Sequence, residues 1–186
     1  MSKKFKKEVL IFDEKAFQRV IHRIGSEILE KNPDLDNLVL IGIKKGGSYL
    51  KDRLKKDIEE RESVSVYDGD IDITLYRDDI SKIGYHPKIE TTEIPINLDD
   101  KYVVLIDDVL FTGRTVRAAM DAIFDFGRPK RIQLAVMIDR GHRELPIQAD
   151  YVGKVVPTSK KEIVEVFFKE LQGKDCVILR ELNETR

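Results

Sequence analysis

The chain has 186 residues, and 41% of them are apolar, which is enough to bury a core without disulfides or a structural metal. Its 33 basic residues nearly balance 34 acidic ones, and the net charge of −1 does not favour a dedicated nucleic-acid binder. The single cysteine excludes an intramolecular disulfide framework, and no apolar run is long enough to cross a membrane. We read no signal peptide at the start, and the single cysteine suits a cytoplasmic setting. No repeat or Pro/Gly-rich linker interrupts the sequence, so we expect one domain over residues 1–186.

The first part of the chain alternates helical and strand-like apolar patterns. Helical spacing of apolar residues predicts a helix from Glu14 to Lys31, with Asp13 as its N-cap. The apolar run 38–43 predicts a buried strand that ends at the turn Lys44-Lys-Gly-Gly47. Apolar residues then recur every four positions, which predicts a second helix. A further strand is expected around residues 71–75.

The middle of the chain continues this alternation. Strands are predicted at 102–106 and 132–138, with a helix between them from Thr115 to Phe126. We expect Gly127 to end that helix as a left-handed cap. Apolar strands that alternate with helices predict an α/β fold whose mainly parallel sheet is covered on both faces. Ligands bind such sheets beyond the carboxyl ends of the strands.

Two segments depart from the alternation. Residues 77–93 are polar and contain glycine and proline, and the segment is longer than an ordinary connection, which predicts a flexible loop or lid. After Pro157, apolar runs at 163–169 and 176–179 are separated by Gly173. This pattern predicts a C-terminal β-hairpin.

The segment from Val103 to Thr115 carries the clearest chemical signal. An apolar strand delivers Asp107 and Asp108 to the ligand edge of the sheet, and Thr112-Gly-Arg-Thr115 then opens a helix. Backbone N–H groups, hydroxyls and the helix dipole make such a helix start an anion site. Carboxylates beside it suit sugar hydroxyls and a metal ion, so the pattern predicts a ribose-phosphate site. The simpler alternative is a polar turn in which an Asp or Thr only caps the helix.

This segment resembles the motif by which type I phosphoribosyltransferases bind phosphoribosyl pyrophosphate (PRPP): four apolar residues, two acids and a turn rich in threonine and glycine. Other segments resemble the PyrR family, pyrimidine operon attenuators that also have uracil phosphoribosyltransferase activity. The resemblance extends from about Val9 to about Leu179. The matching segments are 72–79, 127–129, 132–136, 139–146, 149–154 and 157–159.

The resemblance implies the type I phosphoribosyltransferase fold, with a central sheet flanked by helices, a flexible hood loop at about 77–93 and a C-terminal hairpin. It implies that Asp107 and Asp108 hold the ribose hydroxyls and the Mg²⁺ shell, and that Arg77 in the hood assists catalysis. Besides the two aspartates, the PRPP-binding residues are expected to be Leu110, Phe111, Thr112, Gly113, Arg114 and Thr115. The pyrophosphate loop is expected to be Lys44, Lys45, Gly46 and Gly47.

The same resemblance implies further ligands and partners. Arg140 and Val156 are the candidates for binding the base. A messenger-RNA leader is a possible partner, and its candidate contacts are Arg23, Arg143, Lys154 and Lys160. We also expect a homodimer or a higher homo-oligomer.

Two departures from the PyrR pattern keep the function open. Lys45, Gly46 and Gly47 stand where the family carries Thr-Arg-Gly, and Lys-Gly-Gly is similar to hypoxanthine-guanine phosphoribosyltransferases. His22 and Ser26 stand where the family presents Thr and His on its RNA-associated surface. Three hypotheses follow: a uracil phosphoribosyltransferase that makes UMP, with or without RNA regulation; an RNA-binding attenuator with vestigial catalysis; and a purine phosphoribosyltransferase.

Overall fold

A computed structural model describes residues 5–76 and 91–182 of the chain. The strands in these residues are β1 (Phe5–Phe12), β2 (Leu38–Ile43), β3 (Tyr67–Ile71), β4 (Tyr102–Leu110), β5 (Arg131–Asp139), β6 (Tyr151–Val155), β7 (Glu162–Phe167) and β8 (Cys176–Leu182). The helices are α1 (Glu14–Lys31), α2 (Gly46–Glu62), α3 (Arg114–Ile123) and α4 (Lys169–Gln172). No helix in the described residues is long and apolar enough to cross a membrane.

The central sheet is parallel, with the strand order β3-β2-β4-β5-β6. Every residue of β2 is buried, as expected for a strand that is covered on both faces. Alternate residues of β2 enter two separate cores: Leu40 packs with α1 and α2, and Ile41 packs with α3. The predicted α/β class and the covered parallel sheet are therefore confirmed.

A smaller antiparallel sheet has the order β1-β8-β7. Its strands β7 and β8 form the predicted C-terminal hairpin, and the short helix α4 and the left-handed Gly173 connect them. The hairpin is held to α2 by Arg53, whose guanidinium donates to both carboxylate oxygens of Asp175 at 2.6 and 2.7 Å. β1 was not predicted.

Helix α1 confirms the sequence-based prediction at both ends, and the Asp13 side chain accepts a hydrogen bond from Ala16 N–H at 2.7 Å as its N-cap. The strand predicted at 71–75 is wrong in position, because β3 ends at Ile71. Asp72 explains this end: its Oδ1 accepts from Thr74 N–H at 2.9 Å and from the Thr74 hydroxyl at 2.6 Å. Such an Asx turn diverts the backbone into the 3₁₀ turn that follows.

The end of α3 also differs from the prediction. The α-helix stops at Ile123, and a 3₁₀ turn continues to Phe126. Gly127 is not a left-handed helical cap, since its φ of 135° and ψ of −172° describe an extended conformation that is open to glycine. A side chain at Gly127 would also meet Asn97 Oδ1 at 2.6 Å, so close approach requires glycine there as well.

Candidate active site

Two adjacent carboxylates lie near the carboxyl end of β4. Asp107 is buried, with 7% of its surface exposed, and Asp108 is half-buried. The Asp108 N–H donates to Asp107 Oδ1 at 2.9 Å, and the Val109 N–H donates to Asp108 Oδ1 at 2.9 Å. These backbone bonds fix the carboxylates relative to each other on a rigid strand.

The environment of this pair disfavours two negative charges. Burial raises the pKa of Asp107 well above its ordinary value, and the neighbouring charge of Asp108 raises it further. Burial also raises the pKa of Asp108. Within residues 5–76 and 91–182, no lysine or arginine forms an ion pair with either carboxylate. Carboxylate oxygens that have no cationic partner among the described residues fit a hard divalent ion such as Mg²⁺.

The predicted pyrophosphate turn, Lys44–Gly47, lies directly against these acids. A Cβ on Gly46 would approach Asp108 Cγ to 2.5 Å, and one on Gly47 would overlap the carbonyl oxygen of Ile106. The Lys44 ammonium donates to the Thr91 carbonyl at 2.5 Å, and the peptide bond between Lys44 and Lys45 is cis. Glycine at both positions is therefore what allows the turn and the end of β4 to touch.

The predicted phosphate turn, Leu110–Thr115, joins β4 to α3. Gly113 precedes the first helical residue with φ 91° and ψ −5°, a left-handed conformation that favours glycine. The Thr112 hydroxyl accepts from Arg114 N–H at 3.3 Å, and the side chains of Arg114 and Thr115 are exposed at the helix start. A helix N-terminus with small and hydroxyl side chains suits an anion.

Arg140 and Val156, the candidates for base binding, follow β5 and β6 at the same edge of the sheet. The Arg140 guanidinium lies 4.1 Å from the centre of the Phe111 ring, within the phosphate turn. Val156 is buried, and its N–H donates to the Asp139 carbonyl at 2.8 Å. The structure therefore gathers the candidates for base, phosphate and metal binding at one edge.

Arg140 is itself almost fully buried. It donates to the Thr158 hydroxyl at 3.1 Å and to the Glu162 carbonyl at 2.5 Å. Burial lowers the pKa of the guanidinium, and the charge of Glu162 opposes that change. Sequence reasoning did not single out Thr158; its signal is a hydroxyl that follows a strand at the ligand edge.

The candidate RNA contacts separate into different regions. Arg23 on α1 donates to the carbonyls of Val152 at 3.0 Å and Gly153 at 2.6 Å, which brings it beside the exposed Lys154. Lys160 is exposed in the connection between β6 and β7. Arg143 has a different setting, since its guanidinium donates to carbonyls of the loop that follows β5, to Asp139 at the end of β5 and to the Phe111 carbonyl. Arg77, the candidate catalytic residue of the hood, lies outside the described residues.

Comparisons with known proteins agree with this arrangement. Residues 10–172 match the family model described as the phosphoribosyl transferase domain. The bifunctional protein PyrR of Clostridioides difficile is 57% identical over 171 residues, which are 92% of this chain and 97% of that protein. The bifunctional protein PyrR of Clostridium acetobutylicum is 54% identical over 172 residues, with the same coverage of 92% and 97%.

Solved structures of similar fold are more distant in sequence. A hypoxanthine phosphoribosyltransferase of Staphylococcus aureus has a TM-score of 0.70 at 21% identity, over 97% of this chain and 94% of that one. The hypoxanthine phosphoribosyltransferase of Trypanosoma cruzi has a TM-score of 0.71 at 17% identity, over 94% and 97%. These structures confirm the type I phosphoribosyltransferase fold. Taken with the identities above, the family match shows that this chain belongs to the PyrR family of phosphoribosyltransferases.

Proposed function

We propose that this chain converts uracil and PRPP into UMP and pyrophosphate. The observation that carries the proposal is the contact between the Asp107–Asp108 pair and Gly46, beside the phosphate turn. That contact places acceptors for sugar hydroxyls against one turn suited to phosphates, and the strand that carries them leads into the other. A substrate with a phosphate at one end of a ribose and a pyrophosphate at the other fits this arrangement.

The reaction needs positioning and charge compensation rather than a protein nucleophile. The bond between the anomeric carbon and the pyrophosphate oxygen breaks, and pyrophosphate leaves with the electron pair. Uracil N1 forms the new bond to carbon, and its proton is released. Asp107 and Asp108 would hold the ribose hydroxyls and Mg²⁺, with backbone groups of the phosphate turn on the 5′-phosphate. Mg²⁺, when bound, neutralises the charge that develops on pyrophosphate.

We propose a second role as an mRNA-binding attenuator of a pyrimidine operon that responds to UMP. The support is family membership, together with Arg23 and the neighbouring Lys154 at the outer edge of β6. An arginine bonded to Gly153 and a lysine at the next position suit backbone phosphates of an RNA. We also expect a homodimer or higher homo-oligomer, which light scattering on the purified protein tests.

The decisive experiment is pyrophosphate release from PRPP and Mg²⁺ with uracil, hypoxanthine, guanine or no base. Release with uracil alone supports the proposed enzyme. Release with a purine base would favour the alternative that the Lys45-Gly46-Gly47 turn suggests, a purine phosphoribosyltransferase. Silence with every base, together with UMP-dependent binding of a leader RNA, would favour an attenuator with vestigial catalysis.

A further inference from the structure

Three successive carbonyl groups of the phosphate turn, those of residues 110–112, accept hydrogen bonds from one neighbouring loop, residues 140–147. The Leu110 carbonyl accepts from Arg140 N–H at 3.1 Å, and the Thr112 carbonyl accepts from Glu144 N–H at 2.9 Å. Between them, the Phe111 carbonyl accepts from the guanidinium of Arg143 at 2.8 Å. The Thr112 carbonyl also accepts from Leu145 N–H at 3.3 Å, so Arg143 is the one side chain among these donors and the other three are backbone groups.

These bonds decide which side of the turn can receive an anion. In a trans peptide the N–H points opposite to the C=O, so carbonyls held by the loop direct the next N–H groups to the open side. Successive N–H groups of this kind form a concave site for an anion. If the Phe111 carbonyl were released, that peptide could rotate and present oxygen lone pairs to the phosphate, which would repel it.

The Arg143 guanidinium is itself fixed by three further hydrogen bonds. It donates to the Ile147 carbonyl at 2.9 Å, to the Gly141 carbonyl at 3.1 Å and to Asp139 Oδ2 at 2.5 Å. Asp139 Oδ1 in turn accepts from Gly141 N–H at 2.9 Å. These acceptors together need the planar fork of an arginine, because a lysine ammonium cannot reach all of them in this arrangement.

We infer that Arg143 is a positioning residue that holds the Phe111 peptide so that the phosphate turn presents N–H groups to the 5′-phosphate of PRPP. This inference rests on the proposed function, since it assigns PRPP to the turn. It gives Arg143 a role inside the protein rather than on an RNA surface. Asp139 acts in the same role by orienting the guanidinium.

The test uses Arg143→Lys and Arg143→Ala in the full chain, with Arg19→Ala as the matched control because Arg19 is an exposed arginine on α1. Both Arg143 variants lose the charge-assisted hydrogen bond to the Phe111 carbonyl. We therefore expect the Kd for PRPP with Mg²⁺ to rise about 10-fold or more in each. Isothermal titration without any base measures this Kd directly. In steady state, the KM for PRPP should rise by a similar factor while kcat at saturating PRPP changes less than about 3-fold.

Guanidinium ion added to Arg143→Ala should recover part of the PRPP affinity, whereas ammonium ion at the same concentration should not. A folded Arg143→Ala protein whose Kd for PRPP is within about 2-fold of wild type would overturn the inference. The inference would also be overturned if the KM values for PRPP and uracil rose by the same factor, Tm fell, and guanidinium ion restored nothing. That result would indicate a purely structural residue. Reduced leader-RNA affinity with unchanged PRPP binding would instead assign Arg143 to the RNA surface. Wild-type protein that binds PRPP but does not use uracil would contradict the proposed function and leave this test intact.

Discussion

Gly46 faces the carboxylate of Asp108 so closely that a Cβ at Gly46 would lie 2.5 Å from Asp108 Cγ. The pyrophosphate turn and the acid pair are therefore in direct contact, and a single added methyl group should separate them. We predict that Gly46→Ala lowers kcat/KM for PRPP by about 10-fold or more, because a displacement of about 1 Å at a reacting centre costs that much. Steady-state kinetics with varied PRPP measures the loss.

Gly173→Ala is the control for this change. Gly173 lies in the C-terminal hairpin with φ 76°, and nothing approaches its missing Cβ within 4 Å. The control should lose some stability from backbone strain but keep wild-type kinetics. Wild-type kcat/KM in a folded Gly46→Ala protein would show that the turn does not depend on this contact.

The ionised pair Asp107 and Asp108 should lower the stability of the ligand-free protein, although turnover requires it. Burial raises the pKa of Asp107 and of Asp108, so the ligand-free folded protein keeps protons that the unfolded chain has released. Its stability therefore falls as pH rises from the ordinary carboxyl pKa, about 3.9, through the raised values. We predict that the double variant Asp107→Asn with Asp108→Asn has a higher Tm than wild type at pH 8 without ligand.

The Tm difference should shrink toward pH 4, where the wild-type carboxyls are protonated. Turnover in the double variant should fall by on the order of 100-fold or more, because the groups that hold the sugar hydroxyls and Mg²⁺ lose their charge. Scanning calorimetry across pH and a pyrophosphate assay measure the two effects. Full activity in the folded double variant would rule out the proposed site.

The Arg53–Asp175 pair should hold the hairpin to α2 and respond to acid. The exposed fractions of the two side chains are 15% and 3%. Burial would raise the pKa of Asp175, but hydrogen bonds from Arg53 lower it below its ordinary value. The stability from this pair is thus present above the ordinary carboxyl pKa and is lost as pH falls through the lowered one. We predict that Asp175→Ala costs about 3 kcal/mol at pH 7.

Urea unfolding at pH 7 and at pH 3 measures this prediction, and the gap from wild type should be smaller at pH 3. Glu60→Ala is the control, because Glu60 pairs with Lys56 at 3.8 Å with both side chains exposed. A surface pair of this kind contributes about 0.5 kcal/mol or less. Equal losses for the two variants would mean that burial does not strengthen the Arg53–Asp175 pair.

Replacing Arg140 should raise the KM for the base more than the KM for PRPP. We predict that Arg140→Gln raises the KM for uracil about 10-fold, since a buried guanidinium with charge-assisted bonds is lost. Its KM for PRPP should rise less, through the lost contact with the Phe111 ring at 4.1 Å. The ratio of the two KM values in Arg140→Gln and Arg143→Lys separates the base side from the phosphate side. The same ratio in both variants would contradict this division.

Arg23 and Lys154 should contribute to RNA binding without affecting turnover. We predict that Arg23→Gln and Lys154→Gln each weaken leader-RNA binding and each reduce the slope of log K against log salt by about 1. Filter binding at several salt concentrations with saturating UMP measures the slope. Lys56→Gln is the control, because its side chain is 75% exposed on α2. Unchanged slopes in both variants would remove these residues from the RNA surface.

The sequence predicted the elements that depend on residues close together in the chain. α1 has an N-cap, Asp13, and an uninterrupted apolar face, and both of its ends were predicted. The acid pair and the phosphate turn were found because they follow one another along the chain. β1 was missed because it pairs with β8, and the partner of Val9 is Leu179. Nothing near Val9 in the chain indicates that pairing.

The role of Arg143 could not be found in this way either. Its basic side chain and the resemblance to the PyrR family suggested an RNA contact. The acceptors that hold it belong partly to the distant Phe111, which reaches it only because β4 and β5 are adjacent in the sheet. β6 was missed for a related reason: it is a short edge strand in which Lys154 and Val155 are exposed, so it lacks the apolar pattern of β2.

The bonds from Arg23 to the carbonyls of Val152 and Gly153 have a consequence for assembly. β6 is the last strand of the central sheet, and unpaired carbonyls on such a strand can template the addition of a strand from another molecule. The Arg23 guanidinium donates to two consecutive carbonyls of β6, and consecutive carbonyls of a strand point to opposite sides, so one of them faces the outer edge. Self-association by sheet extension is therefore disfavoured at this edge, and we expect subunits of an oligomer to meet through side-chain surfaces instead.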